Sequence, residues 1–141
     1  MAEYTAVALQ EVEAGQNIIF TETPVRCNRG YVLHREGSGI FTLRGITNQC
    51  TARYRVSFGA NIAIPTGGTV GEISVAIAIE GEPLASATAI VTPAAVEEFF
   101  NVFTAVFVEV PRGCCLTVAV ENTSADAINV QNANLIVERV A

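Results

Sequence analysis

Few residues in this chain can carry chemistry, and that limits what it can do. There is a single histidine, His34, a single aspartate, Asp126, and no lysine. A Ser-His-Asp triad would have to use both His34 and Asp126, and no Gly-x-Ser-x-Gly stretch supplies a nucleophile elbow. Without lysine there is no Schiff-base or phosphate-loop amine. Thr66-Gly67-Gly68-Thr69 is followed by neither a lysine nor a helix start, so it does not read as a phosphate loop. Glu97 and Glu98 are adjacent carboxylates, whereas a glycosidase needs two carboxylates facing one another across a cleft. Standing before Phe99 and Phe100, they read as a solvated turn leading into a buried strand. Glu80 and Glu82 flank Gly81 at a hairpin tip. They could hold an ion or simply be hydrated, and the loop spacing of an EF-hand is absent.

The four cysteines are Cys27, Cys50, Cys114 and Cys115. No pair has C-x-x-C spacing, and His34 is not beside any of them. Two readings stand: a metal site or cross-link, or small buried and half-buried thiols in a reducing compartment. In an extended chain Cys114 and Cys115 point to opposite faces, so at most one of them faces a core. His34 could line a subunit axis, bind a metal or respond to pH, or be a partly exposed strand histidine without a role. No catalytic centre, metal site or cofactor is expected.

The formal charge is −6, and the eight arginines are scattered, with only Arg53 and Arg55 approaching a patch. Nucleic-acid binding by counterion release needs clustered cations, so that partner is not expected. The leading Met-Ala-Glu-Tyr-Thr has neither the basic nor the apolar region of a secretory signal. The longest apolar run, Ile73 to Ile79, is strand-sized, so no membrane insertion is expected. The expectation is synthesis in the cytoplasm, with an assembled particle or cell lysis taking the protein outside.

The elements that would position any site have period two, not 3.6. In Arg53–Ile64, Tyr54, Val56, Phe58, Ala60, Ile62 and Ile64 alternate with Arg55, Ser57, Gly59, Asn61 and Ala63. Glu72–Glu80 alternates in the same way, Gly81-Glu82-Pro83 turns the chain, and Ala85–Thr92 returns. Cys115–Asn122 is a further strand, Asn122–Asp126 a turn and Ile128–Val140 the closing strand. Tyr4–Val12, Asn17–Phe20, Val32–His34 and Ile40–Leu43 are shorter candidates, and Pro93–Phe100 is the one stretch suited to a helical turn. The count is about ten strands at sandwich-like spacing, in one domain spanning residues 1–141.

Asn101–Val110 departs from this pattern. Phe103, Ala105 and Phe107 lie on one face, and Val102, Thr104, Val106, Val108 and Val110 on the other. The outer side of a sandwich strand is ordinarily polar. Two apolar faces require two covers: the core on one side, and a neighbouring subunit, in preference to a folded-over loop, on the other.

The order of motifs resembles a known family. Ser38-Gly39-Ile40-Phe41-Thr42-Leu43 followed by Ala52-Arg53-Tyr54-Arg55-Val56-Ser57-Phe58 is similar to the "G-x-F-T-L … Y-x-V-x-F" stretch of jelly rolls of the tumour necrosis factor and complement globular-head type. Ile79-Glu80-Gly81-Glu82-Pro83 sits where that family has an "N-G" hairpin. Val110-Pro111-Arg112-Gly113-Cys114-Cys115-Leu116 resembles its "G-D-x-V" approach to the penultimate strand. Ala127-Ile128-Asn129-Val130-Gln131-Asn132-Ala133-Asn134-Leu135-Ile136-Val137 resembles the closing strand of bacterial members, such as the C-terminal domain of collagen-like exosporium proteins. Two departures stand out: Gly113-Cys114 replaces Gly-Asp, and there is no collagen-like stalk. The resemblance implies an all-β, two-sheet jelly-roll sandwich. It also implies a homotrimer whose three-fold axis is faced by the sheet holding Arg53–Ile64, Asn101–Val110 and the last strand. Tyr54, Phe58, Val102, Phe103, Val106, Phe107 and Val108 are then the candidates for the trimer interface or core. The expected function is a non-enzymatic assembly protein of a phage virion, as capsid decoration or head fibre. The alternative is a spore-coat, exosporium or cell-surface module that recognises a carbohydrate or receptor, with Arg29, Tyr31, Arg35 and Arg44 as its surface.

Overall fold

A computed structural model describes residues 2–27 and 29–141. Eleven strands form two antiparallel sheets: β1 Ala2–Ala6, β2 Gln10–Val12, β3 Glu22–Val25, β4 Val32–His34, β5 Phe41–Arg44, β6 Thr51–Ala63, β7 Ile73–Ile79, β8 Glu82–Val91, β9 Phe100–Pro111, β10 Cys115–Asn122 and β11 Ile128–Arg139. The six-stranded sheet runs β3-β1-β11-β6-β9, with β2 also paired to β11. The five-stranded sheet runs β4-β5-β10-β7-β8. The expected jelly-roll sandwich is thus present, and the long strand, the two-faced strand and the closing strand do share one sheet.

Alternation decides which side chains enter the core. Tyr54, Val56, Phe58, Ala60 and Ile62 of β6 are all buried, as are Val102, Val108 and Val110 of β9. The register sets Tyr54 opposite Val108 and Ala60 opposite Val102, so both strands give the same parity to the interior. Opposite them, Phe41 and Leu43 of β5, Val75 and Ile77 of β7 and Val118 and Val120 of β10 are equally buried. Phe20 joins the layers, with its ring 5.3 Å from Phe41 and 6.4 Å from Phe58, edge to face. Such contacts add about 0.5–1.5 kcal/mol each beyond burial.

The closing strand needs a correction of phase to bury its apolar residues. Ile128 and Val130 are buried, but so are Ala133, Leu135 and Val137, which have the opposite parity. Between Gln131 and Asn134 the register with β6 slips by one residue, and Asn132 takes a left-handed φ of 56°. This bulge flips the faces, and asparagine is one of the few side chains that tolerates the conformation. The "N-A" of the closing motif is therefore a geometric device.

Several sequence expectations are corrected. Tyr4–Val12 is broken into β1 and β2. Asn17–Phe20 forms only isolated bridges, Asn17 with Glu121 and Phe20 with Ser38. Its alternation comes from Ile18 and Phe20 dropping into the core while Ile19 stays exposed. Pro93–Phe100 contains no helix; Glu97 takes a φ of 56° in a turn and β9 begins at Phe100. The β7–β8 turn is Glu80-Gly81, both at positive φ, with Pro83 already in β8. That is the two-residue turn whose twist suits a hairpin, and the proline is tolerated because β8 is an edge strand.

Gly45 marks a point where two loops touch. A Cβ there would stand 2.0 Å from the Pro111 carbonyl oxygen, which is backbone and cannot swing away. Gly45 N–H donates to Cys114 O at 2.8 Å and its own carbonyl accepts from Gly113 N–H at 3.0 Å. Gly45→Ala is expected to force the β5–β6 and β9–β10 loops apart and cost about 2–3 kcal/mol, read as a lower denaturation midpoint.

Candidate functional site

The outer face of the six-stranded sheet carries the feature that sequence alone singled out. Phe103 and Phe107 are each 62% exposed, and Ile136 of β11 is 37% exposed. Register places them together. Phe103 is opposite Gly59, Ala105 opposite Ser57 and Phe107 opposite Arg55. On the far side of β6, Asn134 is opposite Gly59, Ile136 opposite Ser57 and Glu138 opposite Arg55. Phe103 leans over Gly59, where an added Cβ would lie 3.8 Å from its ring. The result is a strip of Phe103, Ala105, Phe107, Gly59, Ser57 and Ile136 across three strands.

Polar groups close both ends of this strip. At one end Arg53 pairs with Glu109 at 3.5 Å, and Thr51 Oγ1 donates to the same carboxylate at 3.1 Å. At the other end Asn101 Nδ2 donates to Asn61 Oδ1 at 3.2 Å, and Asn61 Nδ2 donates to Asn132 Oδ1 at 3.3 Å. Asn134 Nδ2 donates to the Glu3 carboxylate at the border with β1. An apolar centre with a satisfied polar rim has the anatomy of a protein interface.

The seven interface-or-core candidates separate cleanly. Tyr54, Phe58, Val102 and Val108 belong to the core, and Val106 packs half-buried against it. Phe103 and Phe107 alone among the seven occupy the outer face, and among the described residues no loop folds over them. Ile136, Gly59 and Ser57 were missed because a strand pairing, not sequence spacing, brings them to the phenylalanines.

The surface candidates do not form one patch. Arg29, Tyr31 and Arg44 gather at the end of the sandwich where β4 begins and β5 ends, with Arg44 Nη1 donating to Gly30 O at 3.2 Å. Arg35 follows the other end of β4. The Tyr31 ring is covered by Arg139, whose Cζ lies 4.7 Å from its centroid and 5.5 Å from that of Tyr54. Arg139 is a further miss, since nothing in the sequence sets it apart from the other scattered arginines.

The residues considered for chemistry are dispersed. His34 Nε2 donates to Ser38 O at 2.9 Å and the ring stacks on Phe41 at 4.2 Å, on the sheet opposite the phenylalanine strip. Glu97 accepts from Thr66 Oγ1. Glu80 accepts from Thr117 N–H at 2.9 Å, so it anchors its own hairpin. Cys50, Cys114 and Cys115 are all exposed, which corrects the buried-thiol reading for these three, and neither of the adjacent pair faces the core, within the expected limit of one. Cys27 is half-buried in a cleft with Tyr4, Arg26 and His34. Burial works to raise its thiol pKa, but backbone N–H groups of Arg29, Val32 and Tyr31 outweigh it and set the value below the ordinary one. Among the described residues, no group of three or more His, Cys, Asp or Glu side chains is placed to hold a metal ion.

Burial also sets how the core responds to alkali. Tyr4, 3% exposed, has its phenol pushed from 10.0 up to about 12, first by burial and then by Cys27. Burial raises Tyr54 too, against the opposing pull of Arg139. A folded-state pKa above the unfolded one stabilises the fold fully below the unfolded value, and this contribution is lost as pH rises through the folded value. Stability is expected to hold to about pH 10 and to fall between pH 10 and about 12. Phenolate absorbance should rise together with unfolding, and full Tyr4 ionisation in the still-folded protein near pH 10 would contradict this.

No family model matches the chain, and no curated protein matches it in sequence. Solved structures do match. The globular domain of a zebrafish complement 1qA protein aligns with a TM-score of 0.63 at 13% identity, covering 96% of this chain and 94% of that one. The Eiger TNF of S. frugiperda aligns at 0.69 and 14%, covering 99% and 91%. Murine APRIL aligns at 0.62 and 14%, covering 97% and 98%. At such identities the likeness is one of fold, and in fold this chain is a jelly roll of the TNF and complement globular-head type.

Proposed function

We propose that this protein is a non-enzymatic assembly module that forms a homotrimer through the outer face of its six-stranded sheet. The observation that carries the reading is the pair Phe103 and Phe107, both 62% exposed on an edge strand and bounded by satisfied polar groups. Two large aromatics left in water are a strong driving force for association, and buried aromatics dominate interface energies. The patch lies toward one margin of its sheet. It therefore meets a different surface on the next copy, and such a heterologous contact closes into a ring when the rotation allows. The dispersed titratable groups described above support a role without catalysis.

Sedimentation equilibrium of the full chain tests this. A mass three times that of the 14.9 kDa chain at micromolar concentration is expected; a stable monomer would sink the reading. For the host of the trimer we propose a virion, as capsid decoration or head fibre. The support is the likeness of the closing strand to bacterial members of the fold, together with a surface suited to assembly. Mass spectrometry of purified particles from the source should find the chain in stoichiometric amount, whereas recovery from spore coats would decide for the alternative.

A further inference from the structure

The outer face of the six-stranded sheet carries a second apolar patch, at the margin opposite the phenylalanines. Val7 and Leu9, in the link between β1 and β2, are each 55% exposed, and Ile19 beside them is exposed too. The alternation of the segment explains their side. Ala2, Tyr4, Ala6 and Val12 are buried, so Thr5, Val7 and Leu9 turn outward. The backbone under the patch is tied down. Asn132 N–H donates to Val7 O at 3.3 Å. The Gln10 side-chain amide accepts from Ile19 N–H at 3.1 Å and donates to Ile19 O at 3.0 Å.

Phe103 and this patch stand at one height along the strands. The register runs from Phe103 to Gly59, from Gly59 to Asn134 and from Asn134 to Thr5, just before Val7. Asn101 is opposite Asn61, and Asn61 is opposite Gln131, the neighbour of Asn132. A directed series of amides joins the two margins at that height. Asn101 Nδ2 donates to Ala60 O at 3.4 Å as well as to Asn61 Oδ1. A backbone carbonyl can only accept, so the orientation of the Asn101 amide is fixed. Asn61 Nδ2 then donates to Asn132 Oδ1. Among the described residues, the series ends with Asn101 Oδ1 open to accept on edge strand β9 and Asn132 Nδ2 open to donate beside Val7.

We propose that these two margins are the two halves of one contact between copies of this chain. The Phe103 ring of one copy seats on Val7 and Leu9 of the next, and the open acceptor of Asn101 meets the open donor of Asn132 beside it. The proposal rests on the assembly reading and names the surface that receives the phenylalanine. A heterologous ring needs a head on one margin and a different tail on the other. In a ring whose axis runs along these strands, rotation carries every residue round at constant height, so only patches of equal height meet. Phe103 and the Val7–Leu9 patch satisfy both conditions on a single face. Each patch is apolar surface left in water, and each gains by covering the other. The amide series supplies the direction, because its acceptor end and its donor end lie on opposite margins and join only head to tail.

Sedimentation equilibrium of the full chain over a range of concentrations, with circular dichroism to read the fold, tests this pairing. Leu9→Glu and Phe103→Glu should each keep the parent spectrum and raise the concentration at which the trimer half-forms by about tenfold or more. Leu9→Arg combined with Phe103→Glu in one chain should assemble at least about tenfold more tightly than Phe103→Glu alone, because every contact then sets a cation against the carboxylate. Leu33→Glu, 50% exposed on the other sheet, should assemble as the parent does. Should Leu9→Glu alter the spectrum, Val7→Ser makes the same test without a charge and should also weaken the trimer. A trimeric parent whose Leu9→Glu and Val7→Ser variants assemble unchanged overturns the proposal and leaves the assembly reading standing. So does a combined variant no tighter than Phe103→Glu, or a Leu33→Glu variant that dissociates as readily as Leu9→Glu. A parent that is itself monomeric sinks the assembly reading, and the pairing with it.

Discussion

Phe107→Glu is expected to leave the sandwich folded and to take the trimer apart. The side chain is 62% exposed in the single chain, so its replacement should change subunit stability by no more than about 0.5 kcal/mol. In the assembly the same change puts a carboxylate into an apolar contact near Glu138, whose strand position lies across Arg55 from it. An interface phenylalanine of this kind contributes about 2 kcal/mol, and a three-fold ring repeats it three times, so roughly 6 kcal/mol of trimer stability is lost. Sedimentation should show monomer with an unchanged circular dichroism spectrum. Val106→Glu provides the opposite control one residue away. Val106 packs against the core, so a carboxylate there should cost about 3 kcal/mol or more of fold stability. If both variants unfold the chain, or if neither disturbs the trimer, the two faces of β9 have been wrongly assigned.

The second large effect lies in the core. Phe58 is fully buried, opposite Thr104 on β9 and Leu135 on β11. Its ring meets Phe20, the side chain that a loop contributes between the two sheets. Phe58→Ala removes the ring and leaves a cavity that a rigid sheet centre cannot collapse to fill, at an expected cost of about 3–5 kcal/mol. That is a large share of the stability of a domain of this size, so reduced soluble yield and a denaturation midpoint lowered by many degrees are expected. A midpoint within a few degrees of the parent would show that Phe58 is not at the junction of the layers.

How much of this was visible in the sequence depended on the length of the element. β6 and β9 are long, and their alternation alone names the core face and the odd outer phenylalanines. β3 escaped because Glu22, Thr23 and Pro24 carry no apolar pattern; it is an edge strand that contributes backbone more than side chains. Asn17–Phe20 mimicked a strand because Ile18 and Phe20 insert into the core from a loop. The bulge at Asn132 was hidden within a recognisable motif whose shift of parity looked like ordinary variation. For the site, Phe103 and Phe107 were legible because large apolar residues on both faces of one strand break a rule. Arg139 was not legible, since only folding brings its guanidinium against the rings of Tyr31 and Tyr54, which are far from it in sequence.

The place of β11 in its sheet has a consequence for synthesis. The last strand is the one that joins β1 to β6, pairing Ala2 with Val137 along one edge and Val56 with Val137 along the other. Until it emerges from the ribosome, the six-stranded sheet exists only as two separable pieces, β1 with β3 and β6 with β9. Early residues must wait for late ones, and contacts of such high sequence separation make folding slow. During that wait the phenylalanine strip lacks Ile136, so neighbouring nascent chains hold only an unfinished version of the contact. Folding order thus defers oligomerisation until each subunit is whole.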